Sequence, residues 1–229
     1  MKRLKFFIPF LFLLVFIAPR AWFQAAPFYV EPALSISKSL KGSWSVNSKL
    51  VFRQQLASME NRGLDWVSQS EAAEVQFFAN YQMVGGTKLT LGYIYKLEEP
   101  FLNSFETEHR LLQQLTFQSG NSFRWNNRIR LEQRIGENSF RNRLRYWFVF
   151  EQPLFNKRDW YFVASDELLY TFTGMSGEDQ LENRLQAGTG YVFDNGQKLQ
   201  FELQYRLKHI AAARQSSAWH LLITYSLKL

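Results

Sequence analysis

The chain of 229 residues contains no cysteine and only three histidines. The absence of cysteine excludes disulfide bonds, thiolate catalysis and cysteine-based metal sites. Three scattered histidines make a poor ligand set, so we expect no metal and no cofactor. Pro- or Ser-rich linkers and low-complexity tracts are also absent, which predicts a single domain after any leader segment.

Long hydrophobic runs are absent beyond the start of the chain. Three of the first five residues are basic, and an apolar run from Phe6 to Ala18 follows them. A membrane-spanning helix needs about 20 apolar residues, whereas a basic start before a short apolar run is typical of a secretory signal peptide. We therefore expect residues 1–26 to be a signal peptide cleaved between positions 21 and 26, and residues 27–229 to form the mature domain. A buried N-terminal helix is the alternative.

Acidic residues are outnumbered, which gives a formal net charge of +7 and a sequence pI near 9.6. In a cytosolic chain this balance would favour nucleic acid as a partner. The predicted signal peptide argues against nucleic acid, and the arginines follow one face of predicted strands rather than a tail or a helix.

The residues from Phe123 to Phe150 contain two long segments in which apolar and arginine-rich positions alternate. A period of two places the two sets of side chains on opposite faces of a β-sheet. Each segment is about twice the usual strand length of roughly 5–6 residues. Each is also long enough for the roughly 9–11 residues with which a tilted strand crosses a bilayer. The pattern predicts a transmembrane β-barrel.

Eleven strand-like segments can be followed along the mature chain. Short connections such as Asn195-Gly196 alternate with longer ones such as residues 57–70, as in outer-membrane barrels. The predicted fold class is therefore all-β, a transmembrane up-and-down antiparallel β-barrel of about 10–12 strands. Bacterial single-chain barrels usually have an even number of strands. Residues 28–39 could consequently enter the lumen, pair partially, or belong to a barrel of twelve strands.

A soluble periplasmic barrel or sandwich is the alternative fold, because it also shows alternation of period two. Charged residues are absent from the apolar face of the last three predicted strands. One Arg or Lys at the bilayer midplane would cost roughly 2–4 kcal/mol, so this clean exclusion favours contact with lipid. We expect a monomer in the bacterial outer membrane. Its expected partners are outer-membrane lipid, lipopolysaccharide and, during insertion, the barrel-assembly machinery.

Several short motifs follow one another between residues 106 and 229. They are Glu108-His109-Arg110 with Gln113-Gln114-Leu115, Arg130-Leu131-Glu132-Gln133-Arg134, Arg143-Leu144-Arg145-Tyr146, Ser165-Asp166-Glu167-Leu168, and Gln180-Leu181-Glu182-Asn183-Arg184 followed by Gly188, Gly190 and Tyr191. In their order and spacing the chain resembles an uncharacterised family of Gram-negative outer-membrane β-barrels that is known as a domain of unknown function. The resemblance implies a barrel fold and an outer-membrane location, and it implies no activity.

The polar face supplies the candidate functional residues, which are expected to line the lumen beside Glu108. They are Arg110, Arg124, Arg128, Arg130, Glu132, Arg134, Arg141, Arg143, Arg145, Glu151, Glu182, Arg184, Glu202 and Arg206. Arginine pairs bidentately with carboxylates, and a barrel of this size has an interior that side chains can largely fill. Two interpretations stay open: Arg–Glu ladders that plug the barrel, or a narrow passage that prefers small anionic solutes. Asp166 or Glu167 is expected to join the arginines.

Two further functional classes remain as alternatives. A lipid-modifying hydrolase or acyltransferase would use His220, which points inward with Ser216 and Ser217 nearby. No GxSxG-type signal is present, so we do not expect an enzyme. A surface receptor would act through outer loops that carry Trp66 and Phe101, because exposed aromatic side chains can anchor a partner.

Overall fold

The computed structural model of the chain describes residues 26–60, 63–102, 105–119, 124–137, 139–154, 159–172, 179–210 and 215–229, so the predicted signal peptide lies almost entirely outside it. The described residues form eleven β-strands: β1 Phe28–Ser39, β2 Trp44–Glu60, β3 Gly63–Gln82, β4 Thr87–Glu98, β5 Glu106–Ser119, β6 Arg124–Gly136, β7 Phe140–Pro153, β8 Trp160–Phe172, β9 Gln180–Val192, β10 Lys198–Lys208 and β11 Ser216–Lys228. Within this part of the chain, no helix is long and apolar enough to cross a membrane.

The eleven strands form one closed barrel in which each strand pairs with its neighbours in sequence and β1 closes the ring against β11. This confirms the predicted all-β up-and-down barrel. All sequential pairs are antiparallel, whereas β1 and β11 run parallel, with Phe28 beside Trp219 and Ser37 beside Lys228. An odd number of alternating strands leaves the first and the last pointing the same way. Residues 28–39 are therefore a full wall strand.

Alternation of side chains along the strands separates an inner from an outer surface. On β6, Ile129 and Leu131 are exposed on the outside, while Arg130 and Glu132 are buried inside. On β5 the adjacent Leu111 and Leu112 obscured the pattern in the sequence. Leu111 faces outward and Leu112 is buried in the interior.

The prediction of a long connection at residues 57–70 is wrong. β2 continues to Glu60 and β3 begins at Gly63, and Ala57 pairs with Trp66 within this hairpin. The two strands extend past their neighbours, because the pairing of β3 with β4 starts only at Ala72. The extension lacks apolar alternation since it projects beyond the barrel wall. Trp66, with 79% of its surface exposed, lies on this projection.

Two glycines make room for aromatic side chains inside the barrel. A Cβ atom on Gly92 would lie 2.6 Å from Cδ1 of Phe78, and one on Gly190 would lie 2.2 Å from Cζ of Tyr161. These are closer than real Cβ contacts, so a larger residue at either position would displace a ring from the interior. Both rings lie in the half of the barrel nearer the end where β1, β3, β5, β7 and β9 finish, which is called the short-turn end below.

Candidate functional site

The barrel encloses a cavity of about 440 Å³ whose wall is rich in cationic side chains. Its twelve basic residues are Lys49, Arg53, Lys96, Arg110, Arg128, Arg130, Arg134, Arg143, Arg145, Arg184, Arg206 and Lys208. Its five acidic residues are Glu31, Glu74, Glu167, Glu182 and Glu202. The surplus of positive charge makes the cavity favourable to anions.

A central ion network joins two carboxylates to four arginines. Three of these arginines donate hydrogen bonds, and Nη1 of the fourth, Arg184, lies 3.8 Å from Oε2 of Glu167. Glu132 is fully buried, and its Oε1 accepts hydrogen bonds from Nη1 of Arg145 at 2.8 Å and from Nη1 of Arg130 at 3.2 Å. Arg145 also donates from Nη2 to Oε2 of Glu167 at 2.7 Å. Arg128 donates from Nη2 to Oε1 of Glu167 at 2.7 Å. Charge-assisted bonds of this kind are short and strong, so the network fixes the spacing of β6, β7 and β8.

A second network surrounds Glu108 near the end of the barrel where β2, β4, β6, β8 and β10 finish, which is called the long-connection end below. Its Oε1 accepts hydrogen bonds from Nε of Arg110 at 2.6 Å and from Nη2 of Arg134 at 2.8 Å. Nη2 of Arg141 lies 3.6 Å from Oε2 of the same carboxylate. Arg110 also reaches Glu74 across the interior, at 3.5 Å. Three guanidinium groups thus share one carboxylate here.

A third network lies at the parallel seam and is centred on Glu31 of β1. Its Oε1 accepts hydrogen bonds from Nε of Arg53 on β2 at 2.7 Å and from Nη2 of Arg206 on β10 at 2.8 Å. Nδ1 of His220 on β11 lies 2.6 Å from the same oxygen. The His220 ring stacks on Tyr29 with 4.7 Å between the ring centroids. One buried carboxylate therefore links the two seam strands to the strand beyond each of them.

Arg128 and Trp147 separate the main cavity from a second cavity of about 350 Å³ toward the short-turn end, because both residues line both spaces. The guanidinium carbon of Arg128 lies 4.0 Å above the centroid of the Trp147 ring. Trp147 is held in place by a hydrogen bond from its Nε1 to Oγ of Ser165 at 3.0 Å. This cation–π pair forms a partition between the two cavities.

All fourteen candidate residues lie inside the barrel, in three cavities or in the central network. The main cavity is lined by Arg110, Arg128, Arg130, Arg134, Arg143, Arg145, Glu182, Arg184, Glu202 and Arg206. Glu132 is buried behind this lining, within the central network. Arg124 and Glu151 line the second cavity. Arg141 lines a smaller cavity of about 190 Å³ at the long-connection end.

Sequence reasoning left several interior residues out of the candidate set, notably Glu31, Lys49, Arg53 and Trp147. Lys49 and Arg53 share the inward parity of β2, so the alternation already carried a signal for them. Glu31 was missed because β1 had no assigned partner. In addition, Glu31 and Pro32 have no partner in the pairing of β1 with β2.

Of the two adjacent carboxylates on β8, Glu167 joins the arginines and Asp166 does not. Glu167 is buried and bonded within the central network. Asp166 has the opposite parity and faces outward, where its Oδ1 accepts a hydrogen bond from Nδ2 of Asn183 at 2.6 Å. The two roles follow directly from alternation.

The histidines occupy different surroundings. His109 faces outward, with Nδ1 2.6 Å from the hydroxyl of Tyr93. His220 faces inward and belongs to the Glu31 network. Ser217 has the opposite parity to His220 on β11, so these two side chains lie on different surfaces of the wall. Within the described ranges, no group of three or more histidine or acidic residues is placed to hold a metal ion.

Comparison with known proteins assigns the chain to one family. A family model described as Protein of unknown function (DUF2490) matches residues 21–217 of the chain. No curated protein and no solved structure shows a significant match. The expected membership of a family of unknown function is therefore confirmed, and the match covers more of the chain than the motifs between residues 106 and 229.

Proposed function

The chain belongs to the family described as Protein of unknown function (DUF2490), and we propose that it is an outer-membrane β-barrel whose cationic interior gives small anionic solutes a restricted passage. The surplus of basic over acidic side chains around the central cavity is the observation that carries this proposal.

The outer surface supports a membrane location. Large apolar side chains are exposed on the outward face of strand after strand, among them Leu50, Phe77, Leu91, Ile129, Leu144, Leu168 and Leu203. Single exposed apolar residues are normal in soluble proteins. A contiguous apolar band that follows the wall marks contact with lipid or with another protein. The strands of 11 to 20 residues are long enough for the roughly 9–11 that a bilayer requires.

Paired aromatic side chains near the short-turn rim add to this support. Trp44 lies 5.0 Å from Tyr81, measured between ring centroids, and Trp160 lies 5.0 Å from Tyr191. Both pairs join ends of adjacent strands at the same rim of the barrel. Girdles of aromatic residues at the membrane–water interface are a general property of outer-membrane barrels.

The interior supports a preference for anions. The central network shares two carboxylates among four arginines, and the Glu108 network shares one carboxylate among three. Lys49 also lines the cavity, and no carboxylate among the described residues lies within ion-pairing distance of it. Rings of Arg and Lys in a pore favour anions over cations.

The passage is restricted because the Arg128–Trp147 partition divides the interior. Solutes crossing the barrel would have to displace or pass this pair. Only small anions would fit, since the larger of the two cavities measures about 440 Å³.

The proposal is tested by single-channel recording of the refolded protein in planar bilayers under a KCl gradient. We expect small conductance steps and a reversal potential of the sign set by chloride. A reversal potential of the sign set by potassium would contradict the preference for anions. Bilayers that stay silent at all voltages would contradict the passage and leave the ion networks as a packed core that fixes the barrel shape.

A further inference from the structure

Arg143 on β7 is a cation inside the barrel that has no acidic partner among the described residues. Its Nε donates a hydrogen bond to Oγ1 of Thr171 at 2.8 Å. No carboxylate of the described residues lies within 4.0 Å of its guanidinium nitrogens, unlike the arginines of the three networks. The side chain lines the main cavity, so its terminal nitrogens are available to a molecule in that cavity.

The surroundings of Arg143 increase this local surplus of charge. Arg134, on the neighbouring strand β6, is 93% buried, and its Nε has no hydrogen-bond partner in the described part of the chain. On the other side, Arg184 and Lys208 line the same cavity. The nearby Glu182 is already engaged, since its Oε1 accepts a hydrogen bond from Nε of Arg184 at 2.7 Å. Arg134 and Arg184 are already paired with Glu108 and Glu182, whereas Arg143 and Lys208 have no carboxylate within ion-pairing distance among the described residues. Two unpaired cations thus remain in this part of the wall.

We propose that Arg143, with Arg134, Arg184 and Lys208, forms a binding site for a phosphate group inside the barrel. The planar fork of a guanidinium matches the oxygens of phosphate bidentately, and lysine adds a point charge. A divalent oxyanion would also balance the surplus of charge that this part of the wall carries. The site rests on the proposed function, because a solute must enter the cavity to reach it. The phosphate belongs either to a small solute or to a lipopolysaccharide headgroup that enters from the long-connection end.

Isothermal titration of inorganic phosphate into the refolded protein in detergent tests the site. We expect saturable binding that weakens by about tenfold or more in Arg143→Gln, since a hydrogen bond to a charged group is lost. The matched control is Arg124→Gln, which removes an equally basic residue that lies outside the main cavity. It should bind phosphate as the parent does. Arg143→Lys should bind with intermediate affinity because it keeps the charge and loses the fork.

Each variant is first checked for the heat-dependent gel shift of a folded barrel, so that lost binding is not mistaken for lost folding. Equal phosphate affinity of parent and Arg143→Gln, or no binding by a folded parent, would overturn the site. Anion-selective current without phosphate binding would overturn the site and leave the proposed passage standing. Binding without current would keep the site and remove the passage.

A competition arm assigns the source of the phosphate. Lipopolysaccharide micelles that abolish binding of inorganic phosphate would identify a lipid headgroup as the occupant. Unchanged binding would identify a free solute. Both outcomes support phosphate chemistry at Arg143.

Discussion

The inner and outer surfaces of the barrel wall differ in which side chains they bury. Leu131 and Leu203 are 36% and 46% exposed, while the adjacent Glu132 and Glu202 are 0% and 6% exposed. A soluble protein places its carboxylates in water and its leucines in the core. It follows that charge in the interior must be balanced by other charged or polar side chains, and that the outer surface presents apolar side chains to its surroundings.

Polar residues on the outer surface are paired with each other, which fits the same interpretation. The side-chain amides of Gln113 and Gln133 exchange hydrogen bonds at 3.2 and 3.1 Å. The Tyr146 hydroxyl donates to Oδ1 of Asn127 at 2.8 Å. In lipid no water is present to satisfy polar groups, so such mutual pairing is the available solution.

The largest effect on barrel assembly is expected when a charge is placed on the outer surface. Leu203→Arg should prevent assembly, because an arginine near the bilayer midplane costs roughly 2–4 kcal/mol. The measurement is the amount of heat-modifiable barrel recovered from outer membranes.

The adjacent inward residue gives the matched control. Glu202 accepts hydrogen bonds from Nε2 of Gln186 at 2.9 Å and from Nε2 of Gln200 at 2.5 Å, and it lies in no ion pair of the described residues. Glu202→Gln should therefore assemble normally. Parental amounts of barrel in the Leu203→Arg strain would show that the two surfaces have been assigned incorrectly.

A strong effect on the free energy of unfolding is also expected when a carboxylate is removed from the central network. Glu132→Gln leaves Arg130 and Arg145 without their shared partner. Breaking a buried ion pair by removing one member typically destabilises by about 3–5 kcal/mol. Urea unfolding of the protein in lipid vesicles should show a lower free energy of unfolding.

Glu106→Gln serves as the control for this change, because Glu106 is the first residue of β5 and its side chain is exposed. Its free energy of unfolding should match that of the parent. If Glu132→Gln is equally stable, the carboxylate does not hold the interior together.

A moderate effect on conductance is expected when the Arg128–Trp147 partition is removed. Trp147→Ala removes the ring beneath Arg128 and joins the two cavities that the pair separates. Single-channel conductance should rise while the preference for anions is kept, because the basic residues remain. Conductance equal to that of the parent would place the narrowest point elsewhere.

The smallest effect is expected at the outer glutamine pair. Gln113→Leu should leave Gln133 unpaired, and the double change to leucine should recover most of the loss. Hydrogen bonds of this kind within membranes average about 0.6 kcal/mol in double-mutant cycles. A coupling energy near zero in vesicle unfolding would indicate that water reaches the pair.

Alternation along the chain was sufficient to predict the barrel and the inward arginines, because each wall strand has one apolar and one polar surface. It failed where that contrast disappears. The hairpin beyond Ala57 has the sequence pattern of a loop because it projects beyond the wall. Glu31 was missed because its role depends on the parallel seam, and no local pattern specifies which distant strand closes a barrel. The sharing of Glu132 and Glu167 by four arginines likewise required the register between strands.

The most direct test of the central claim is fractionation of cells that express a tagged protein, followed by gel electrophoresis with and without boiling. The lipid-facing assignment of the outer surface predicts a band in the outer-membrane fraction that shifts in mobility on boiling. A soluble periplasmic protein without a shift would contradict it, and the exposed apolar band would then require another partner.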